Sequence, residues 1–260
     1  MNRLDECFRA ARRQRRKVLI AFTMAGDPSL AATERLLRVF NGTGVDIIEL
    51  GMPFSDPLAD GPTLQAAAQR ALRAGTTLQG VLRLVQRFRR QSSRPVVILS
   101  YLNPIMRFGP SFFQAAHRAG VDGVVIPDLP VEEARNVRRV ARRAGVSLIV
   151  LAAPTSSVAR LRAIARAGQG FIYYVSVTGT TGARRQLPRE VTHGVQRLKR
   201  LTRVPVCVGF GIASPHEAKR MARVADGIIV GSAIVSRWAR THSTRAVGAF
   251  VRSLRRALDA

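Results

Sequence analysis

Several residue types are scarce in this chain, and each scarcity excludes something. Only two cysteines, Cys7 and Cys207, occur in 260 residues, so no disulfide framework is set and a reducing compartment, the cytoplasm, is expected. No apolar run approaches the roughly 18 residues that a membrane-spanning helix needs, which removes a membrane partner. The opening segment MNRLDECFRAARRQRRK lacks an apolar signal core and carries Asp5 and Glu6. It reads as an amphipathic helix rather than as a signal or transit peptide. Lysine is nearly absent: of 42 basic residues only Lys17, Lys199 and Lys219 are not arginine. Acids are few as well, 16 in all, and the formal net charge reaches +26. Such a charge raises the prospect of a polyanion partner. Yet pairs such as Arg12–Arg13, Arg89–Arg90, Arg138–Arg139 and Arg142–Arg143 recur along the whole chain, and aromatics make up 6%. The arginines therefore read as an evenly spread, solvated surface with no clustered patch. Weak adhesion to nucleic acid at low salt is expected, and specific nucleic-acid binding is not.

What is present is a rhythm. Nearly continuous apolar runs, rich in β-branched residues, lie at 18–24, 46–51, 96–101, 123–128, 147–153, 171–176, 206–211 and 226–232. A run of this kind is a strand covered on both faces. Arginine-rich amphipathic segments, such as Glu132–Arg143 and Ser157–Ala167, lie between them. Eight strands with intervening helices predict a closed (β/α)8 barrel, one domain over residues 1–260, with an extra helix at the N-terminus. Asp46, Asp122 and Asp226 each stand where a helix ends and a strand opens. That is the stability face of a barrel, so a structural role is expected for all three. Two segments rich in Gly, Pro, Ser and Thr, Met52–Pro62 and Val177–Pro188, read as loops covering a site.

Barrel active sites lie at the C-terminal ends of the strands. Among so few acids, Asp27, Glu49, Asp56, Asp60 and Asp128 all fall at or just past such ends. Glu49 is the sharpest. In Asp46-Ile47-Ile48-Glu49-Leu50 a period of two puts Ile47 and Glu49 on one face and Ile48 and Leu50 on the other. If the leucine packs on helices, the glutamate enters the barrel mouth, and no arginine within a strand run stands ready to pair with it. A carboxyl in such a setting has a raised pKa and suits general acid/base work. Asp60, in Ala59-Asp60-Gly61-Pro62, is open to two readings, a functional carboxylate or a turn residue. Gly209-Phe210-Gly211 and Gly231-Ser232, at successive strand ends, read as a phosphate cradle, the second opening a helix whose free amides attract anions. No lysine ends a strand, which argues against a Schiff base, and none of His117, His193, His216 and His242 does, which argues against a metal site.

These motifs together resemble the α subunit of tryptophan synthase. The matching stretches run in order: Ala25-Gly26-Asp27-Pro28, the unbroken segment from Glu49 to Pro62, Asn103-Pro104-Ile105, Pro127-Asp128-Leu129-Pro130, Ala153-Pro154-Thr155, the 178–184 loop, Gly209–Ile212 and Gly231–Ile234. The Glu49–Pro62 segment is the most specific. The resemblance implies a lyase of tryptophan biosynthesis that cleaves indole-3-glycerol phosphate to indole and glyceraldehyde 3-phosphate, a retro-aldol step without cofactor or metal. It gives Glu49 the part of acid/base and Asp60 that of stabilising positive charge at the indole nitrogen. It places Phe22, Leu99, Tyr173 and Thr181 around the substrate, and Gly182, Gly211, Gly231 and Ser232 about its phosphate. It also implies a β subunit, the holder of pyridoxal phosphate, docked on Asp56, Asn103 and Asp128 in an α2β2 assembly.

The chain departs from that pattern at Met24, where the family usually has threonine, at Thr180, and in its charge. Two other phosphate-binding barrels, the histidine-pathway isomerase and indole-glycerol-phosphate synthase, need acids or a lysine where Met24, Ala152 and Ala153 stand. Two alternatives remain: a stand-alone indole-releasing lyase of the same family, and a catalytically dead barrel that binds polyanions.

Overall fold

The computed structural model describes residues 2–175, 189–209 and 211–260. Its strands are β1 (Val18–Met24), β2 (Ile47–Gly51), β3 (Val96–Leu99), β4 (Gly123–Val125), β5 (Ser147–Ala152), β6 (Ile172–Val175), β7 (Val206–Gly209) and β8 (Gly227–Val230). All neighbouring strands pair in parallel, and β8 returns to β1 to close a barrel in sequence order. The described helices are α1 (Arg3–Arg13), α2 (Leu30–Asn41), α3 (Pro62–Arg73), α4 (Leu78–Arg89), α5 (Leu102–Phe108), α6 (Phe112–Ala119), α7 (Arg135–Arg143), α8 (Val158–Ala167), α9 (Arg189–Leu201), α10 (Pro215–Ala222), α11 (Ser232–Thr241) and α12 (Thr244–Asp259). Among them none is long and apolar enough to cross a membrane.

Alternation along each strand divides the core into layers. Leu19, Ala21, Ile48, Leu50, Ile98 and Val208 pack outward with the helices. Val18, Ile20, Ile47, Val97, Val125 and Cys207 fill the barrel interior. The N-terminal end of the barrel is plugged by α1, as the amphipathic opening segment predicts. Leu4, Phe8 and Ala11 join the interior cluster, and the Phe8 ring lies 5.9 Å from that of Phe171.

The three strand-entrance aspartates do repeated work at this end. Asp46 accepts from Leu19 N at 2.8 Å, Asp122 from Val96 N at 2.8 Å and Asp226 from Val206 N at 2.9 Å. Each ties the start of one strand to that of the preceding or a neighbouring one. Each is also ion-paired: Asp46 with Arg16 and Arg255, Asp122 with Arg3 and Arg89, and Asp226 with Lys199.

Some boundaries differ from the sequence expectation. The apolar runs to 101 and 128 end as strands at Leu99 and Val125, because Tyr101 caps α5 and residues past Val125 turn. The helix expected from Glu132 begins at Arg135, since residues 131–134 form turns. The arginines are not spread evenly either. Arg135, Arg138, Arg139, Arg142 and Arg143 gather around one cleft on α7. Their spacing of three and four residues puts them on one helical face, a relation invisible when they are counted in adjacent pairs.

Candidate active site at the barrel mouth

Strand β2 fixes Glu49 between Phe22 of β1 and Val97 of β3. Ile48 and Leu50 do pack outward, so Glu49 points inward, one rung above Ile47. Its side chain is fully buried, and neither carboxylate oxygen has a hydrogen-bond partner among the described residues. Burial without compensation disfavours the charged form. The Glu49 pKa is accordingly pushed up to about 8, first by desolvation and then by the nearby Asp60 charge.

Asp60 stands in the segment between β2 and α3. It is not the helix cap that Asp-Gly spacing permits: Gly61 holds that place, without a side-chain cap. Its carboxyl is partly buried and is raised to about 6 by desolvation, against which a hydrogen bond from the Tyr101 side chain acts. The Tyr101 hydroxyl also accepts from Ala59 N at 2.9 Å, and the Tyr101 ring lies 5.2 Å from that of Phe54. Tyr101 thus holds the whole Phe54–Asp60 segment from below, while Gln65 Nε2 donates to the Asp60 carbonyl at 2.9 Å. Sequence reasoning missed Tyr101. The only signal was its place at the end of an apolar run, and its contact with Ala59 spans 42 residues.

Tyr173 enters the interior from β6, and its hydroxyl pKa is raised well above the ordinary value by burial, then by the charges of Glu49 and Asp60. It lies against β7 so closely that a Cβ at Gly209 would come within 2.6 Å of its oxygen. Phe22 is similarly pressed onto Gly51, where a Cβ would meet its ring at 2.4 Å. Phe22 clusters with Met24, Leu64, Ala67, Ala68, Ala71 and Val235, and the partly buried Leu99 packs on the same group. The interior above Glu49 is therefore walled by apolar and aromatic side chains.

At the rim, Gly211 takes a φ of +73°, and Gly231 caps α11 without a side-chain bond, leaving Ser232 exposed at the first helical position. Thr181 and Gly182 lie outside the described residues, as does the rest of the 178–184 loop. Asp56, Asn103 and Asp128 are exposed beyond the ends of β2, β3 and β4. Asp56 accepts from Ser55 Oγ, and Asp128 accepts from Leu102 N at 2.9 and 3.2 Å, so it also caps the start of α5. Asp27, the remaining strand-end acid, is engaged: Arg70 forks onto it at 2.7 and 2.8 Å.

Among the described residues no three His, Cys, Asp or Glu side chains are grouped to hold a metal ion. The thiols are not poised as nucleophiles, since burial pushes Cys7 up to about 12 and Cys207 well above its ordinary value.

A family model described as the tryptophan synthase alpha chain matches residues 8–255. The chain belongs to that family. It is similar to the tryptophan synthase alpha chain of Geobacter sulfurreducens, 47% identical over 262 residues that cover 99% of each chain. To that of Carboxydothermus hydrogenoformans it is 49% identical over 236 residues, 90% of this chain and 88% of the relative. Among solved structures, the alpha subunit from Legionella pneumophila superposes with a TM-score of 0.93 at 37% identity, covering 100% of this chain and 99% of that one. A chain of the Pyrococcus furiosus tryptophan synthase α2β2 complex gives 0.87 at 38%, covering 92% and 98%. Family membership makes the chain a lyase of the tryptophan synthase alpha type, and its barrel is the family's barrel.

Proposed function

We propose that this chain cleaves indole-3-glycerol phosphate to indole and glyceraldehyde 3-phosphate, with Glu49 as acid/base and Asp60 as its electrostatic partner. The observation that carries the reading is the Glu49 carboxyl, buried, without a hydrogen-bond partner among the described residues and raised to about 8 beside Asp60. Near neutral pH Glu49 is largely protonated and Asp60 largely ionised, two environments that separate the acid from the anion. Glu49 delivers its proton to indole C3. The positive charge that develops at the ring nitrogen is stabilised by the Asp60 carboxylate. The Glu49 carboxylate then takes the proton of the glycerol hydroxyl next to the ring. As that oxygen forms a carbonyl, the bond from its carbon to indole C3 breaks and the electron pair restores the aromatic ring. Glu49 ends protonated, ready for the next turnover, and no cofactor or metal is called for.

Phe22, Leu99 and Tyr173 form walls suited to a flat apolar ring. Gly211, Gly231 and the uncapped N-terminus at Ser232 suit a phosphate, together with Gly182 on grounds of resemblance alone, and Thr181 joins the substrate contacts on the same grounds. For a partner, the reading places a β subunit holding pyridoxal phosphate on the face carrying Asp56, Asn103 and Asp128, where Leu58 is 94% and Met106 68% exposed. The Pyrococcus furiosus neighbour, taken from an α2β2 complex, supports it. The cytoplasm is the location that goes with this reading and with two free cysteines.

The test is indole release from indole-3-glycerol phosphate, measured with the chain alone and over a titration of β subunit. Slow release that rises severalfold with β subunit is expected. Fast release indifferent to the β subunit would assign a stand-alone lyase, and no release in either case would leave the dead barrel.

A further inference from the structure

The α7 cleft lies on the outer wall of the barrel, apart from the mouth, and has a volume of about 500 Å³. Its lining is Arg135, Arg138, Arg139, Arg142 and Arg143 with Asn136 and Gln169. Among the described residues none of the five guanidinium groups is ion-paired. The nearest acids on the chain, Glu132 and Glu133, do not line the cleft, and Glu132 faces Arg160 at 3.5 Å. The two amides are neutral and bring NH2 donors beside the guanidinium groups. The oxygen of Asn136 accepts from Arg139 at 3.4 Å, and that of Gln169 accepts from Leu148 N at 3.3 Å. Each amide oxygen thus already accepts one bond within the protein. Every side chain of the lining offers hydrogen-bond donors, and five offer positive charge as well.

A surface dominated by donors and positive charge fits a ligand that has only acceptors. Five arginines at i, i+3, i+4, i+7 and i+8 repel one another along a helix and lower its stability unless an anion lies between them. We propose that this cleft binds a linear inorganic phosphate chain. The three arginine rungs span about 12 Å of helix, with charge at every turn. A phosphoanhydride chain carries a charge on every unit and presents the paired oxygens that guanidinium forks grip. An extended acidic peptide turns a side chain to one face only every ~7 Å, too sparsely to match. Single-stranded nucleic acid gains affinity from aromatic platforms that stack its bases, and the lining of the cleft has none. The inference is independent of the reading of the barrel mouth.

The experiment is a calorimetric titration of the full chain with tripolyphosphate and with long-chain inorganic polyphosphate at about 0.15 M salt, where diffuse surface attraction is screened. Saturable binding is expected. Arg138→Gln with Arg142→Gln should weaken it by about tenfold or more. Arg12→Gln with Arg13→Gln, which removes the same charge from α1, should change it by less than about twofold. Arg139→Gln with Arg143→Gln provides a second pair in the cleft, and thermal unfolding of each variant reports whether the fold persists. Absence of saturable binding, or equal losses in the α1 and α7 variants, would overturn the proposal. So would a single-stranded RNA or polyglutamate that binds more tightly and loses affinity in the same α7 variants.

Discussion

At the N-terminal end of the barrel, Asp46 meets Arg16 at 2.6 Å, Arg255 at 3.0 Å and Leu19 N at 2.8 Å, whereas at the C-terminal end Glu49 meets no described partner at all. Both carboxyls are buried, one just before β2 and the other in the middle of it, three residues apart in sequence. One end of the strand compensates its charge fully and the other leaves it uncompensated. Compensation yields a joint: Asp46 links β1, α1's exit and α12. Its absence yields a group that keeps its proton up to about 8. Under the proposed function the uncompensated carboxyl is the one that does the chemistry, while the paired ones hold the barrel together.

The comparison can be broken most forcefully at Glu49. Glu49→Gln should lower indole release by about 10²–10⁴-fold, and retention of more than about a tenth of the wild-type rate would remove Glu49 from the mechanism. The same variant should be no less stable. The folded chain holds the Glu49 proton up to about 8, while the ordinary carboxyl value is 4.5. Between these values the native state binds the extra proton, so wild-type stability falls as pH rises through the window. Denaturant unfolding of Glu49→Gln should therefore show a gain over wild type that grows from about pH 4.5 to about pH 8. At the opposite end, Asp46→Asn should cost about 2–3 kcal/mol of stability by removing the buried carboxylate that Arg16, Arg255 and Leu19 N share, even though Arg255 keeps Asp259, with turnover per folded molecule nearly unchanged. Equal stability of wild type and Asp46→Asn would show that the paired end is not a joint.

The smallest and most diagnostic effect is expected at Tyr101. With Asp60 required as the anion and Glu49 as the acid, kcat/KM should fall below about 6 and above about 8. The Tyr101 hydrogen bond lowers the Asp60 pKa. Tyr101→Phe removes it, so the acid limb should move to higher pH while the alkaline limb stays in place. A merely structural role would scale the profile down without moving either limb.

Much of this was legible in the sequence because it rests on local period. The β2 alternation alone aims Glu49 inward, and the recurrence of aspartate before three strands marks the paired end. Asp60 was legible as a candidate but not as a role, since Asp-Gly is also turn chemistry, and what distinguishes the two is Tyr101, far along the chain. The α7 cleft was missed for a different reason. Its arginines were counted as neighbours in sequence, while a helix brings together residues three and four apart. Thr181 and Gly182 rest on resemblance to the family.

The helix α1 also sets a schedule for making the molecule. It is made before every other described element, yet Asn2 bonds the Asp122 carbonyl, 120 residues on, and Ser147, 145 residues on. Leu4 fills the space beside Gly123 and Gly170, where a Cβ would come within 3.1 and 3.0 Å of it. For most of synthesis this helix has nowhere to dock, and its apolar stripe must wait in water or on a chaperone until the middle strands emerge. The stopper of the bottle is made before the bottle, and it cannot be fitted until the middle of the wall is there.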